Sequence, residues 1–319
     1  MNLHISTKEF NEAVQLVSHE TGISASFIQK DYWISLVLKR LSESKYVDSV
    51  VFKGGTSLSK GFKLINRFSE DVDIAMIDVA GISGNQLKTL IRSVEKEIAR
   101  ELKEIKIDGL TSKGSRFRKS VYEYPTTTNA KAFESISNSI IIEVNSFANP
   151  YPYLKIEMQS MIGEHLEKNN QTELVRKYGL GSFSVNVLDL KQTLIEKLVS
   201  LLRFSYADNS LEQLSGKIRH FYDLYYLAND KECSAYLRTE QFKSDFNSIL
   251  EHDRKAFDEP TGWNKKVVTE SPLLTNFDAL WNTLKSVYSR ELSMLAYAKI
   301  PEEKEIAKNF KQLISKIIE

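Results

Sequence analysis

Phe52-Lys53-Gly54-Gly55-Thr56-Ser57-Leu58-Ser59-Lys60, followed by Arg67-Phe68-Ser69-Glu70-Asp71-Val72-Asp73-Ile74, carries the strongest signal in the chain. Ser49–Lys53 reads as a short buried strand, and the glycine pair turns it into a short helix ending near Phe62. Val72–Ile77 reads as a second strand. Strand residues alternate between faces, so Asp71 and Asp73 project from the same one. Two carboxylates that close repel unless a cation lies between them. Hard oxygen donors suit Mg²⁺, which takes one or two carboxylates plus substrate phosphates. Glycines let backbone N–H groups approach an anion, and the helix that follows adds its positive end. A glycine turn facing a paired-aspartate strand therefore outlines a triphosphate–metal site. The spacing is not that of a P-loop. The competing reading is a surface hairpin with a solvated Asp-x-Asp.

Outward from this stretch, two helices precede it. The first is expected over Thr7–Glu20, with Ser6 and Glu9 as a capping box. The second spans Ala25–Leu41 and places Asp31 inside an apolar stripe of Phe27, Ile34, Leu38 and Leu41, where a carboxylate must find a partner. A helix over Gln86–Leu102 follows, then strands at Ile105–Leu110, Phe117–Tyr124, Ser139–Phe147 and Tyr153–Ser160. Ten of the 13 glycines fall between Gly54 and Gly181, and beyond about residue 189 the pattern turns helical. Helices are expected at Leu190–Phe204, Leu211–Leu227, Thr239–Leu250, Phe277–Ala298 and Glu302–Ile318, with a loop from His252 to Pro272. Trp263 and Trp281 read as core. The expected organisation is α+β, with residues 1–188 as one domain and 189–319 as a helical C-terminal domain that contributes to the active site.

Composition narrows the function classes. The chain has 319 residues, 42% of them apolar, enough for a substantial core. Its longest apolar runs are five residues, Leu224–Ala228 and Met294–Ala298, against the roughly 20 that span a bilayer. The N-terminus lacks the pattern of a signal peptide. Cys233 is the single cysteine, which excludes an internal disulfide and a thiolate zinc site. A soluble cytoplasmic protein without membrane partners is expected. Lys plus Arg total 43 and Asp plus Glu 42, so nucleic-acid contact would need a local basic patch. The run Lys113-Gly114-Ser115-Arg116-Phe117-Arg118-Lys119, followed by Tyr122 and Tyr124, reads either as such a patch for RNA or as a solvated strand.

Lys30-Asp31-Tyr32-Trp33, Phe52–Lys60 and Arg67–Ile74 together resemble the AbiEii-type nucleotidyltransferase toxins, of the polymerase-β-like nucleotidyltransferase superfamily. The resemblance covers roughly residues 25 to 230. It implies a polymerase-β-like core with a mixed sheet, and Mg²⁺-dependent transfer of NMP from an NTP to an RNA such as a tRNA 3′ end. It also implies a two-metal site, a cognate antitoxin protein and a growth-inhibiting role. A small-molecule or protein hydroxyl as acceptor, or a non-catalytic nucleotide-binding module, are the alternatives.

The site residues follow from both sources. Asp71 and Asp73 are the expected metal ligands, and Gly54, Gly55, Thr56 and Ser57 the phosphate cradle. Glu143, inside the apolar run Ser139–Asn145, reads as a third metal carboxylate, as a general base, or as a Glu on a solvated strand face. Lys197 falls on the buried stripe of Leu190, Leu194, Leu198 and Leu201, where it either snorkels out of the stripe or, as a buried amine, needs an anion. The resemblance makes that anion the NTP triphosphate. Asp223 reads from spacing alone as an i,i+4 partner of Arg219, and the resemblance makes it functionally required, including as a candidate general base. Ser69 is counted with the nucleotide-binding residues, and it matches a hydroxyl that antitoxins phosphorylate in related toxins, where phosphate would crowd the metal site with negative charge; the other reading is a turn serine.

Overall fold

The computed structural model describes residues 1–125 and 138–318, which fall into two compact units. The first comprises Met1–Lys63 and Phe68–Leu188; the second comprises Leu64–Arg67 and Asp189–Glu319.

The first unit is built on one mixed sheet of eight strands: β1 (Val50–Lys53), β2 (Asp71–Met76), β3 (Lys103–Ile105), β4 (Ser112–Lys113), β5 (Phe117–Glu123), β6 (Ser139–Asn145), β7 (Tyr153–Met158) and β8 (Phe183–Leu188). The spatial order is β3-β5-β6-β2-β1-β8-β7, and β4 pairs with β5. β2 runs parallel to β6 and antiparallel to β1; β1 runs parallel to β8. The helices are α1 (Thr7–Thr21), α2 (Ala25–Ser42), the short α3 (Gly54–Thr56) continued by a π-helical turn (Ser57–Gly61), α4 (Gly84–Ile98), α5 (Met161–Lys168) and α6 (Thr172–Tyr178).

The sheet's two faces differ. Val72, Ile74, Ile140, Ile142, Val144 and Tyr122 are buried on the face that carries α4, where Arg118 of β5 donates to Glu95 of α4 at 2.6 Å. The opposite face carries Asp71, Asp73, Glu143 and Lys119, all partly accessible. The strand alternation that hides one set of residues therefore delivers the charged set to a face that solvent reaches.

The second unit is helical: α7 (Leu190–Ser205), α8 (Ser210–Ser215), α9 (Ile218–Asn229), α10 (Lys231–Tyr236), α11 (Glu240–Ala256), α12 (Pro272–Thr275), α13 (Phe277–Leu295) and α14 (Glu303–Ser315). Phe221, Phe277, Trp281 and Phe310 form an aromatic core between α9, α13 and α14, with ring centroids 4.7 to 6.3 Å apart. Trp263 is also buried.

Several elements differ from the sequence expectation. Ser6 makes no side-chain cap bond to α1, while Ser83 and Gln86 form a reciprocal capping box on α4. The strand expected over Ile105–Leu110 stops at Ile105, because Gly109 takes a positive φ of 80° in a turn. The helix expected over Leu211–Leu227 breaks into α8 and α9 at Gly216-Lys217, where glycine is a poor helix former. α11 runs on to Ala256, into the expected loop. α5, α6, α10 and β8 had no expected counterpart; β8 is six residues interrupted by Asn186, whose amide donates to the carbonyls of Val47 and Val50.

Candidate active site

The glycine turn and the aspartate strand meet. Lys53 of β1 lies directly across from Asp73 of β2, so the chain leaves β1 beside the second aspartate. Gly54 adopts φ +81°, and a Cβ there would lie 2.0 Å from Oδ2 of Asp73. Both the backbone angle and the close approach require glycine. Thr56 Oγ1 donates to the backbone carbonyl of Asp71, and Ser57 Oγ donates to the carbonyl of Gly54 at 2.8 Å. Thr56 and Ser57 are buried. Their hydroxyl protons thus tie the turn to β2 and to itself.

Asp71 and Asp73 lie on one face as expected, both partly exposed. In the parallel pairing of β2 with β6, Asp73 stands beside Glu143. In the antiparallel pairing of β6 with β5, Glu143 stands beside Lys119. Directly opposed residues share a face. A row therefore crosses four strands in the order Lys53, Asp73, Glu143, Lys119: cation, two anions, cation. Lys119 Nζ forms an ion pair with Glu143 Oε1. Burial works to lower the Lys119 pKa, but the hydrogen bond and charge of Glu143, with the charges of Asp71 and Asp73, raise it above its ordinary value. The ammonium is therefore held charged at this face.

Among the described residues, no three His, Cys, Asp or Glu side chains gather as a metal ligand set. Glu143, expected as a third carboxylate beside Asp71 and Asp73, is paired here with Lys119. Asp71 and Asp73 remain as a pair, and two carboxylates with substrate phosphates are a fitting donor set for Mg²⁺.

The helical unit holds the other expected residues. Asp223 is fully buried. Its Oδ1 accepts from Arg67 Nε at 2.7 Å, and its Oδ2 accepts from Arg67 Nη2 at 2.6 Å and Lys197 Nζ at 2.8 Å. The partner is not Arg219, as i,i+4 spacing predicts, but an arginine 156 residues earlier in the chain. Burial pushes the Asp223 pKa up, but the charges of Arg67 and Lys197 outweigh it and hold the carboxyl below the usual carboxylate range. The buried stripe does place Lys197 inside, and the anion it meets in this unit is Asp223. His220 sits beside the cluster. Burial, then the charges of Lys197 and Lys217, push its pKa well below the ordinary value, and its Nδ1 has no hydrogen-bond partner among the described residues.

The family model "Nucleotidyl transferase AbiEii toxin, Type IV TA system" matches residues 36–315. The chain belongs to the AbiEii nucleotidyltransferase toxin family. No curated protein matches it. A solved structure, MenT4, the nucleotidyltransferase toxin Rv2826c from Mycobacterium tuberculosis H37Rv, is similar at 18% identity, covering 95% of this chain and 98% of that one, with a TM-score of 0.43.

Within this AbiEii-family chain, the Lys30-Asp31-Tyr32-Trp33 segment is a brace. Lys30 is fully buried, and its ammonium meets Glu70, the residue before Asp71, at 2.6 Å. Asp31 finds the partner its apolar stripe demanded: it accepts from Lys60 at 2.6 Å and from the Met161 amide at 2.7 Å. Lys60 lies in the π-helical turn that follows the glycines. Trp33 stacks on Tyr124, with centroids 5.4 Å apart. Lys30 and Asp31 thus hold the flanks of both motifs. Sequence reading could not identify that role, nor find Lys119, because both depend on which strands and loops become neighbours.

The basic run is dispersed. Lys113 pairs with Glu104 at 2.5 Å, Arg118 with Glu95 on the buried face, and Lys119 with Glu143 on the open face. It is not a continuous basic groove. Ser69 is 7% exposed. No helix among the described residues is long and apolar enough to cross a membrane.

Proposed function

We propose that this AbiEii-family nucleotidyltransferase uses Mg²⁺ held by Asp71 and Asp73 to transfer a nucleoside monophosphate from an NTP to an RNA acceptor, such as a tRNA 3′ end. The observation that carries the reading is the seating of the Asp73 carboxylate against Gly54, with Asp71 on the same face. Mg²⁺ would supply Lewis-acid stabilisation of charge on the triphosphate oxygens. Gly54 and Gly55 leave the backbone approachable by phosphate. The acceptor hydroxyl oxygen attacks the α-phosphorus, the bond to the β-phosphate bridging oxygen breaks, and pyrophosphate leaves with that electron pair. The hydroxyl proton passes to Glu143 rather than to Asp223, whose lowered pKa makes it a weak base. Lys197 and Asp223 enter through the family resemblance: Lys197 would bind the triphosphate, its ammonium fixed by Asp223. The protein would act in the cytoplasm, paired with an antitoxin encoded beside it. Ser69 is the proposed site of antitoxin-directed phosphorylation, and its burial means that modification requires local opening.

Dispersal of the basic run favours a second reading, in which a small-molecule or protein hydroxyl is the acceptor. Incubating α-labelled NTPs, Mg²⁺ and total RNA with wild type and with Asp71→Ala/Asp73→Ala separates the two. Label in tRNA with wild type alone supports the RNA acceptor. No label in any RNA, with a folded protein that binds NTP, removes it in favour of the second reading or of an inactive nucleotide-binding module.

A further inference from the structure

The charge row across the open sheet face has a second cation built into it. Lys119 reaches Glu143 from the neighbouring strand, and Glu143 stands in register with Asp73. We infer that Lys119 is a fixed cation of this site, standing where a second divalent ion would bind, so that the site takes one Mg²⁺ rather than two. The inference rests on the nucleotidyl-transfer reading and changes its metal count.

A second ion at Asp73 and Glu143 would have to share the Glu143 carboxylate with the ammonium already paired to its Oε1. It would also place two positive charges beside a third, on a face where only three carboxylates are aligned across β2 and β6. The ammonium is not a loose surface lysine. Its side chain is 23% exposed and that of Glu143 is 20% exposed, and strand register fixes both backbones. A lysine can neutralise charge near the reacting phosphate as a point charge, without the strict octahedral shell that Mg²⁺ demands. On this account Glu143 positions Lys119 and does not ligate metal. Asp71 and Asp73 keep the single ion.

Counting ions in the full chain tests this directly. Mn²⁺ replaces Mg²⁺, the probes are the α,β-methylene analogues of the four NTPs, and electron paramagnetic resonance reads both the number of bound ions and any spin coupling between them. The expected result is one uncoupled Mn²⁺ per nucleotide-loaded wild-type chain, and two coupled ions in Lys119→Met, which frees the third carboxylate. Lys119→Arg should retain one. Glu143→Gln also should retain one, and it provides an answer if Lys119→Met does not fold. Two coupled ions in wild type overturn the inference while leaving nucleotidyl transfer intact. So does a single ion in a folded Lys119→Met, or loss of the ion in Glu143→Gln. A wild-type chain that binds neither Mn²⁺ nor any nucleotide analogue overturns the inference and the nucleotidyl-transfer reading together.

Discussion

Two clusters of charge carry the chemistry-bearing residues of this chain, and they are built on opposite principles. On the sheet face of the first unit, Lys53, Asp73, Glu143 and Lys119 stand side by side on four strands, all partly accessible. In the helical unit, Arg67, Lys197 and Asp223 are at least nine-tenths buried and joined by hydrogen bonds of 2.6 to 2.8 Å. The first can exchange its partners for a metal ion or phosphate, because water already competes for its charges. The second is costly to disturb, because any charge left alone there has no solvent to return to. Accessible charge is available for chemistry; buried paired charge holds other groups in place.

The largest stability effect should therefore come from the buried cluster. Asp223→Asn strands Arg67 and Lys197 without a carboxylate, and should cost about 3–5 kcal/mol in chemical denaturation. A cost near zero would place the cluster's charges in contact with solvent and erase the contrast between the two sites.

Gly54→Ala comes next. It forces a Cβ into the Asp73 carboxylate and an alanine into a left-handed conformation. A loss of roughly 1–3 kcal/mol is expected, together with weaker Mn²⁺ binding, read by denaturation and by metal titration. Retained metal affinity would show that the glycine turn does not set the position of Asp73.

The third effect is pH-dependent. His220 has a folded-state pKa well below its unfolded value, set first by burial and then by Lys197 and Lys217; Arg67 also lowers it, while Asp223 opposes. Above the unfolded pKa of about 6.5 both states are neutral and the histidine adds no pH dependence. As pH falls below that value, the unfolded chain takes up a proton that the folded chain refuses, so stability drops by up to about 1.4 kcal/mol per pH unit. His220→Gln should flatten the stability profile between pH 6.5 and 5. An unchanged slope would mean that the imidazole is protonated in the folded state.

The smallest effect belongs to the dispersed basic run. Lys113, half exposed and paired with Glu104, should change stability by less than about 1 kcal/mol when replaced by alanine. A larger loss in thermal denaturation would mean that the exposed pairs of this run bear structural load comparable to the buried ones.

The parts legible in the sequence were those that depend on neighbours along the chain. Alternation placed Asp71 and Asp73 on one face, and helical spacing placed Lys197 inside. The glycine pair marked the turn, although its reason became visible only with Asp73 lying against Gly54. What depended on long-range pairing was not legible. Asp223 looked like a partner for Arg219 four residues away and instead meets Arg67. Lys119 looked like part of an RNA-binding run, and strand register instead brought it to Glu143. β8 leaves too short a pattern in the sequence, six residues interrupted by Asn186, and its place is set by pairing with β1 and β7 on either side.

The central claim is that the accessible carboxylates of the sheet face, and not some other surface, carry nucleotidyl transfer. Pyrophosphate release from NTPs in the presence of Mg²⁺ and cell extract, compared between wild type and Asp73→Asn, tests it without needing to know the acceptor. The account predicts release by wild type and a loss of at least about a hundredfold in Asp73→Asn, with stability kept to within about 1 kcal/mol because that charge is partly solvated. Equal release by a folded Asp73→Asn would contradict it.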